Sequence, residues 1–357
     1  MKDRDFARAF GNPDAAFSDT VETTLRRLLK EEERPVKKLR IGVAIAIAAC
    51  LLLAAMGVAA ANQWGLFDFI NRVANVSILP EATDLVATGI AQEGGETEYA
   101  TFSLREAVYD GQYAYMLFDI KPKEGVMLLG VDSEPEYSMQ DLTKEESDLT
   151  IGEYAAANNL KMIYTNIGID LGEASLDFHM EDDGTLVYGI QGPVPEAGTE
   201  KLEMDVDCIT YPADSTDFKA DVRRAKLTFA LEKAEMLAAG KSAGTADFPS
   251  CGVRVDSVEL NATAMGLYYR LHYTVVDKAA FDALDGGLWF EFLDESGEPM
   301  AGGAAAGGSV TESEGGYTEG DSLAAMKELP TSLTLRAYNS GTEECYETVE
   351  IPIVPGN

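Results

Sequence analysis

The residue types that carry most enzyme chemistry are sparse in this chain. It holds 2 histidines, His179 and His272, and 4 cysteines, Cys50, Cys208, Cys251 and Cys345, in 357 residues. A zinc site needs several imidazoles or thiolates at short spacing, and no Cys-x-x-Cys pair occurs. Both histidines fall on the polar phase of strand-like patterns and lie far apart in sequence. Neither a Gly-x-Ser-x-Gly elbow nor a phosphate-binding Gly-rich loop ending in Lys-Ser/Thr is present. Carboxylates are plentiful, with 61 Asp and Glu against 28 Lys and Arg. A pair of carboxylates is enough for glycoside hydrolysis, so an external hydrolase stays open as a reading. "EDDG" at 181–184 has the charge for calcium but lacks the alternating Asp/Asn spacing of a dedicated calcium loop. The expectation is a protein that is not an enzyme, with no catalytic residue, no cofactor and no metal.

Charge is unevenly shared. Of the formal net −33, residues 1–40 carry +2 and residues 62–357 carry −35. An acidic exterior of this size is soluble and repels nucleic acid. Among the thiols, Cys208 shares the apolar phase of "LEMDVDC" and Cys251 leads that of "CGVRV". Burial as small hydrophobes is expected for both, with a bond between them left open.

The strongest binding signal lies near the N-terminus. "NPDAAFSDTVETTLRRLLKEEERP", residues 12–35, reads as one helix. Asn12 caps it, Pro13 suits its first turn, Asp14 favours the positive end of its dipole, and Pro35 ends it. Phe17, Val21, Leu25, Leu28 and Leu29 form an apolar stripe on one face. About 40 residues are too few to bury such a stripe alone. The stripe is therefore a candidate surface for a cytoplasmic protein partner, with the inner leaflet or a second copy as alternatives.

What must position this helix is the next element. From Ile41 to Ala61 there are 21 residues without a charge or an amide. As a helix they reach about 30 Å, the thickness of a bilayer's hydrocarbon core. Ala59-Ala60-Ala61 would suit signal cleavage, but the apolar run is long for a signal and 40 residues precede it. An uncleaved span is the preferred reading. Arg34, Lys37, Lys38 and Arg40 place the N-terminus in the cytoplasm and the C-terminal part outside the cell membrane. Trp64, Phe67 and Phe69 are expected at the outer interface.

Beyond the span the period falls from 3.6 to 2. "LYYRLHYTV" (267–275), "SLTLRAY" (332–338), "KLEMDVDC" (201–208) and "AKLTFAL" (225–231) each alternate as half-buried strands. The stretches 100–122 and 250–277 both read as strand, small polar turn and aromatic-rich strand, with Asp110-Gly111 a hairpin signal. "LTIGEYAAANNLKMIY" reads as a helix ended by Asn158-Asn159. Residues 296–321 lack an apolar period and read as a mobile loop. The fold class is thus mainly β. A cytoplasmic helical segment (1–40) and a transmembrane helix (41–61) precede two antiparallel, immunoglobulin-like β-sandwich domains. These run over 62–237, with a juxtamembrane segment 62–80, and over 250–357, joined by a linker at 238–249.

This layout resembles the bacterial single-pass membrane proteins grouped with anti-sigma factors, common in Gram-positive bacteria, which carry an external domain of unknown function. The matching residues are "FSDTVETTLRRLLKEE" before the span, "NQWGLFDFI" after it and the "DGQYAYMLFDIKP" strand pair. The resemblance implies a membrane-anchored regulator whose inner helix holds an extracytoplasmic-function sigma factor. Zinc-type members carry a His and a Cys pair in the cytoplasmic part, whereas residues 1–49 here have neither. The helix alone must then do the binding. The alternative is an anchored surface-binding protein, its external ligand undetermined, whose inner segment only fixes topology.

Overall fold

Side chains alternate inward and outward along most of the chain beyond residue 87, and that alternation builds the architecture. The computed structural model describes residues 65–356 except 75–77, 144–147, 172–174, 195–198, 285–286, 295, 303–308, 314–315, 340–341 and 343. The expected cytoplasmic helix with Phe17, Val21, Leu25, Leu28 and Leu29, the expected span 41–61 and Trp64 lie outside the described residues. Among those described, no helix is long and apolar enough to cross a membrane. Residues 62–357 form one compact unit, mainly β, whose described residues hold one apolar cluster in each of two lobes and a third that draws on both.

The described residues of the first lobe hold ten strands: β1 (Ala87–Thr88), β2 (Gln92–Gly94), β3 (Ala100–Tyr109), β4 (Tyr113–Pro122), β5 (Val126–Gly130), β6 (Lys161–Gly168), β7 (Ser175–Met180), β8 (Leu186–Pro193), β9 (Lys201–Pro212) and β10 (Arg223–Glu232). They form two five-stranded sheets, ordered β1-β3-β4-β8-β7 and β2-β10-β9-β6-β5. Both sheets feed one apolar cluster. Phe102, Met116, Phe118 and Ile120 come from the first, and Ile163, Val206, Leu227 and Phe229 from the second. The alternation read in β9 and β10 holds, since Met204, Val206, Cys208, Leu227, Phe229 and Leu231 are all buried.

One pairing departs from the antiparallel expectation: β5 runs parallel to β6. Parallel neighbours need a long crossover, and residues 131–160 supply it. This crossover contains helix α2 (Ile151–Ala157), following helix α1 (Leu66–Ala74) in chain order. Thr150 and Glu153 close a reciprocal cap on α2: Glu153 N donates to Thr150 Oγ1 at 3.2 Å and Thr150 N to Glu153 Oε2 at 2.9 Å. The helix ends at Asn158, and Asn159 follows with φ 53°, a left-handed conformation that Asn tolerates. A short helix α3 (Phe218–Asp221) lies between β9 and β10.

The second lobe holds β11 (Ala238–Ser242), β12 (Ala246–Phe248), β13 (Val253–Ala262), β14 (Leu267–Val275), β15 (Leu288–Leu293), β16 (Ser309–Ser313), β17 (Gly316–Leu323), β18 (Ser332–Asn339) and β19 (Cys345–Pro355), with helix α4 (Lys278–Asp282) after β14. Its sheet runs β15-β18-β19-β11-β13-β14-β17-β16, with β12 beside β13. It folds back on itself, so that β15 faces β14. Tyr269 meets Phe292 edge-on at 4.7 Å between ring centroids, and Tyr273 meets Phe290 at 5.3 Å.

Two sequence expectations are corrected here. Residues 238–249 are not a free linker, because β11 pairs with both β13 and β19, and β12 pairs with β13. Its Ala and Gly residues conceal a strand held by its backbone, and Gly240 lies against Leu329 and Ile353 where a Cβ would collide. Residues 296–321 are not one loop, because they contain β16 and most of β17. The positions of β17 opposite Leu271 and Tyr269 carry Glu319 and Asp321. Two acids between Tyr317 and Leu323 on the inward face break the apolar alternation.

Candidate functional site

Two look-alike hairpins, β3–β4 and β13–β14, dock on each other by their turns. In the first, Asp110 Oδ1 accepts from Gln112 N at 3.0 Å and Tyr113 N at 2.8 Å. In the second, Thr263 Oγ1 accepts from Met265 N at 3.1 Å and Gly266 N at 3.2 Å. Each turn is thus closed by the side-chain oxygen of its first residue. The remaining Asp110 oxygen, Oδ2, receives Thr263 Oγ1 at 3.1 Å and the Tyr268 hydroxyl. Tyr115 in turn donates to Tyr268 at 2.8 Å. A chain of donors therefore runs from Tyr115 through Tyr268 to a buried carboxyl. Burial pushes the Asp110 carboxyl above its usual range, against the pull of its hydrogen-bond donors. Burial, and then the charge of Asp110, raise both tyrosines well above theirs.

Helix α1 packs beside this junction. Leu66, Phe69 and Ile70, spaced i, i+3, i+4, are fully buried with Tyr115, Leu117 and Val187 of the first lobe and Ala264 and Met265 of the second. Gly189 in β8 makes room for the Phe69 ring, since a Cβ there would lie 2.2 Å from Phe69 Cδ2. Glu106 reaches the start of the helix, accepting from Leu66 N at 2.8 Å, and Arg72 pairs with Asp177 at 3.0 Å. Phe69 is thus in the protein interior and not at a lipid interface, because the helix presents it on the same stripe as Leu66 and Ile70. Just after α1, Leu79 N donates to Ala264 O at 3.0 Å, and Glu81 pairs with Lys327 of the second lobe. An open cleft of about 750 Å³ adjoins the junction, with Asp110, Tyr113, Lys233, Asn261, Tyr268 and Arg270 in its wall.

The chemistry-bearing residues singled out in the sequence do not converge. His179 is buried in β7, against the expectation that it faces solvent, and His272 in β14 meets Thr318 Oγ1 at 3.2 Å. Cys208 and Cys251 are buried, Cys345 is exposed, and all three are free thiols. The 181–184 stretch is the β7–β8 turn, closed by Gly184 N to Glu181 O at 2.9 Å and by Thr185 N to Asp183 Oδ1 at 2.9 Å. Among the described residues no group of three or more His, Cys, Asp or Glu could hold a metal ion. Sequence reading found Asp110 as a turn residue only and missed Thr263, Tyr268 and Tyr115. The available signal was a repeated layout, an oxygen-bearing side chain opening each turn and a Tyr soon after it.

Comparison with known proteins adds little to this geometry. No family model matches the chain, and no curated protein sequence does. Among solved structures, one described as "the conserved domain protein from Bacillus anthracis" is similar at 9% identity, over 79% of this chain and 95% of that one, with a TM-score of 0.43. A protocadherin gamma B7 structure, extracellular cadherin domains 1–4, aligns at 8% identity over 79% and 97%, with a TM-score of 0.15.

Proposed function

We propose that the chain is a single-pass, membrane-anchored regulator of the anti-sigma-factor kind. In this reading its inner helix holds a cytoplasmic protein, an extracytoplasmic-function sigma factor, and its external β lobes sense or bind at the cell surface. The observation that supports the reading is the docking of α1. This helix begins just after the apolar run, and its buried face touches both hairpins where they interlock. A ligand that changed how the hairpins meet would change the support of the helix next to the span. We also read the lobes as immunoglobulin-like sandwiches. The facing sheets and shared apolar cluster of the first lobe favour this, and its parallel β5–β6 pair is a departure.

The test is capture of cytoplasmic partners by the full chain against a variant carrying Val21→Asp and Leu25→Asp. Loss of a captured sigma factor in the variant supports the reading, and identical capture sinks it. A second reading, an anchored surface-binding protein without inner signalling, is favoured by the open cleft at the junction. Deleting residues 1–33 would then leave the phenotype intact.

A further inference from the structure

The open cleft beside the hairpin junction takes its floor and its wall from different lobes. The floor is the outer face of β13, β14 and β17. Leu260, Tyr269 and Leu271 are buried on the inner face, so Glu259, Asn261 and Arg270 stand on the outer one. Register sets Glu259, Arg270 and Gly320 side by side across the three strands. A Cβ on Gly320 would approach only Tyr269 O, at 3.5 Å, so the space beside Arg270 is open there.

Three features of the lining point to a ligand. The first is a held cation. Lys233 N donates to Glu200 O at 2.9 Å and Ala234 N to Tyr109 O at 2.7 Å, which fixes the Lys233 backbone beside the end of β3. Its half-buried stem lies over the β3–β4 turn at Gly111, where a Cβ would fall 2.3 Å from Lys233 Cε and 2.9 Å from Nζ. Arg270 approaches from the other lobe. Tyr268 meets Asp110 at that same turn, and Arg270 lies two residues further on the same face, about 7 Å along the strand. The second feature is charge. Among the described residues, neither Lys233 nor Arg270 has an acid within ion-pair distance. Asp110 is spent on its four donors. Asp321 is on the inward phase opposite Tyr269, and Ser322 N donates to it at 2.7 Å. Two cations and Glu259 remain, within an external part whose formal charge is −35. The third feature is a pair of carboxamides. Gln112 and Asn261 line the cleft from opposite lobes, and among the described residues their side chains have no partner. A carboxamide both donates and accepts, as a peptide group does.

Two cations without acids call for an anion, and the planar fork of Arg suits a carboxylate. Free carboxamides call for amide groups. Met236, 43% exposed on the Lys233 side, offers apolar contact. The volume of about 750 Å³ is within the usual range for ligand pockets, which favour junctions of this kind. We propose that the cleft binds a short peptide with a free C-terminal carboxylate, which Lys233 and Arg270 hold while Gln112 and Asn261 pair with its amides. This rests on the reading of the lobes as an external binding body and names its ligand class; it makes no use of the inner helix.

The experiment is saturation-transfer NMR on the full chain in detergent, with N-acetyl-trialanine as the probe and N-acetyl-trialanine amide as its neutral match. Inorganic phosphate serves as an anion without amides. The expected result is transfer to the acid and little to the amide, with phosphate a weak competitor. Lys233→Gln and Arg270→Gln each weaken binding of the acid about threefold or more, and Lys233→Arg retains it. Arg270 is exposed and Lys233 half-buried, so the melting temperature should stay the same in all three variants; this separates lost binding from lost folding. Equal signals for acid and amide, no transfer to the acid, phosphate competing as strongly as the peptide, or an unchanged affinity in both Gln variants would overturn the proposal. Deletion of residues 1–33 and the Val21→Asp, Leu25→Asp capture test leave the cleft untouched, so failure of the ligand class and failure of the functional reading are told apart.

Discussion

Asp110 and Thr263 stand 153 positions apart in the chain, yet Thr263 Oγ1 donates to Asp110 Oδ2 at 3.1 Å. Each also closes its own turn, so one contact joins two self-supporting hairpins.

Replacing Asp110 by Ala strips acceptors from Gln112 N, Tyr113 N, Thr263 Oγ1 and the Tyr268 hydroxyl at once. The expected destabilisation is about 3 kcal/mol or more, and Tyr268→Phe alone should lose roughly 1.5–3 kcal/mol as a bond to a carboxyl. Denaturant melts of the two single variants and the double variant should be non-additive, since they share a partner. Additive losses would mean that the chain of donors is not a unit.

Helix α1 should be removable from its seat by one side chain. Phe69→Ala leaves a cavity against Gly189 and should lower stability by roughly 3–5 kcal/mol. Gly189→Val pushes into the same space from the other side, at about 1–3 kcal/mol or more. Limited proteolysis near residues 65–80 should accelerate in both. Unchanged protection would show that the helix does not rest on β8.

Glu319 gives stability a pH dependence of unusual sign. It is 1% exposed, Tyr269 donates to it at 3.4 Å, and its Oε2 has no partner. Burial pushes its carboxyl from 4.5 up to about 8, with Asp321 adding to the rise. The folded chain therefore keeps a proton that the unfolded chain has already lost between these pH values. This group's contribution falls as pH rises through that window, by about 1.4 kcal/mol per unit at most, and is fully favourable only below pH 4.5. Glu319→Gln should flatten the slope. A slope identical in the variant would remove Glu319 as its source.

The thiols should separate cleanly in labelling. Burial raises the Cys208 thiol to about 12 and the Cys251 thiol to about 11. A maleimide should label exposed Cys345 in the folded chain and reach Cys208 and Cys251 only on unfolding. Mass spectrometry showing all three of these cysteines labelled in the folded chain would contradict the packing.

How much of this was legible beforehand depended on what faced inward. Strands β9, β10, β14 and β18 bury aliphatic and aromatic side chains at every second position, so composition alone exposes their period. Helix α2 is legible in Glu153, Tyr154 and the alanines and in the asparagines that end it, while the Thr150 cap shows only in the structure. Strand β11 was concealed because its neighbours hold it through the backbone, and β17 because Glu319 and Asp321 occupy positions where apolar residues are expected. Phe69 looked like an interfacial ring because the glycine that receives it, Gly189, is 120 positions away. The hairpin junction was hidden for the same reason: Asp110 and Thr263 each satisfy a local turn completely, and only the second oxygen of Asp110 reveals a distant partner.

The seat of α1 also sets an order of events during synthesis. The helix leaves the ribosome more than a hundred residues ahead of β8, which at roughly 5–20 residues per second is on the order of ten seconds. Through that interval Leu66, Phe69 and Ile70 have only the β3–β4 hairpin to meet, at Val108, Tyr115 and Leu117. Until Gly189 and then Ala264 and Met265 arrive, part of this apolar face stays open on the newborn chain.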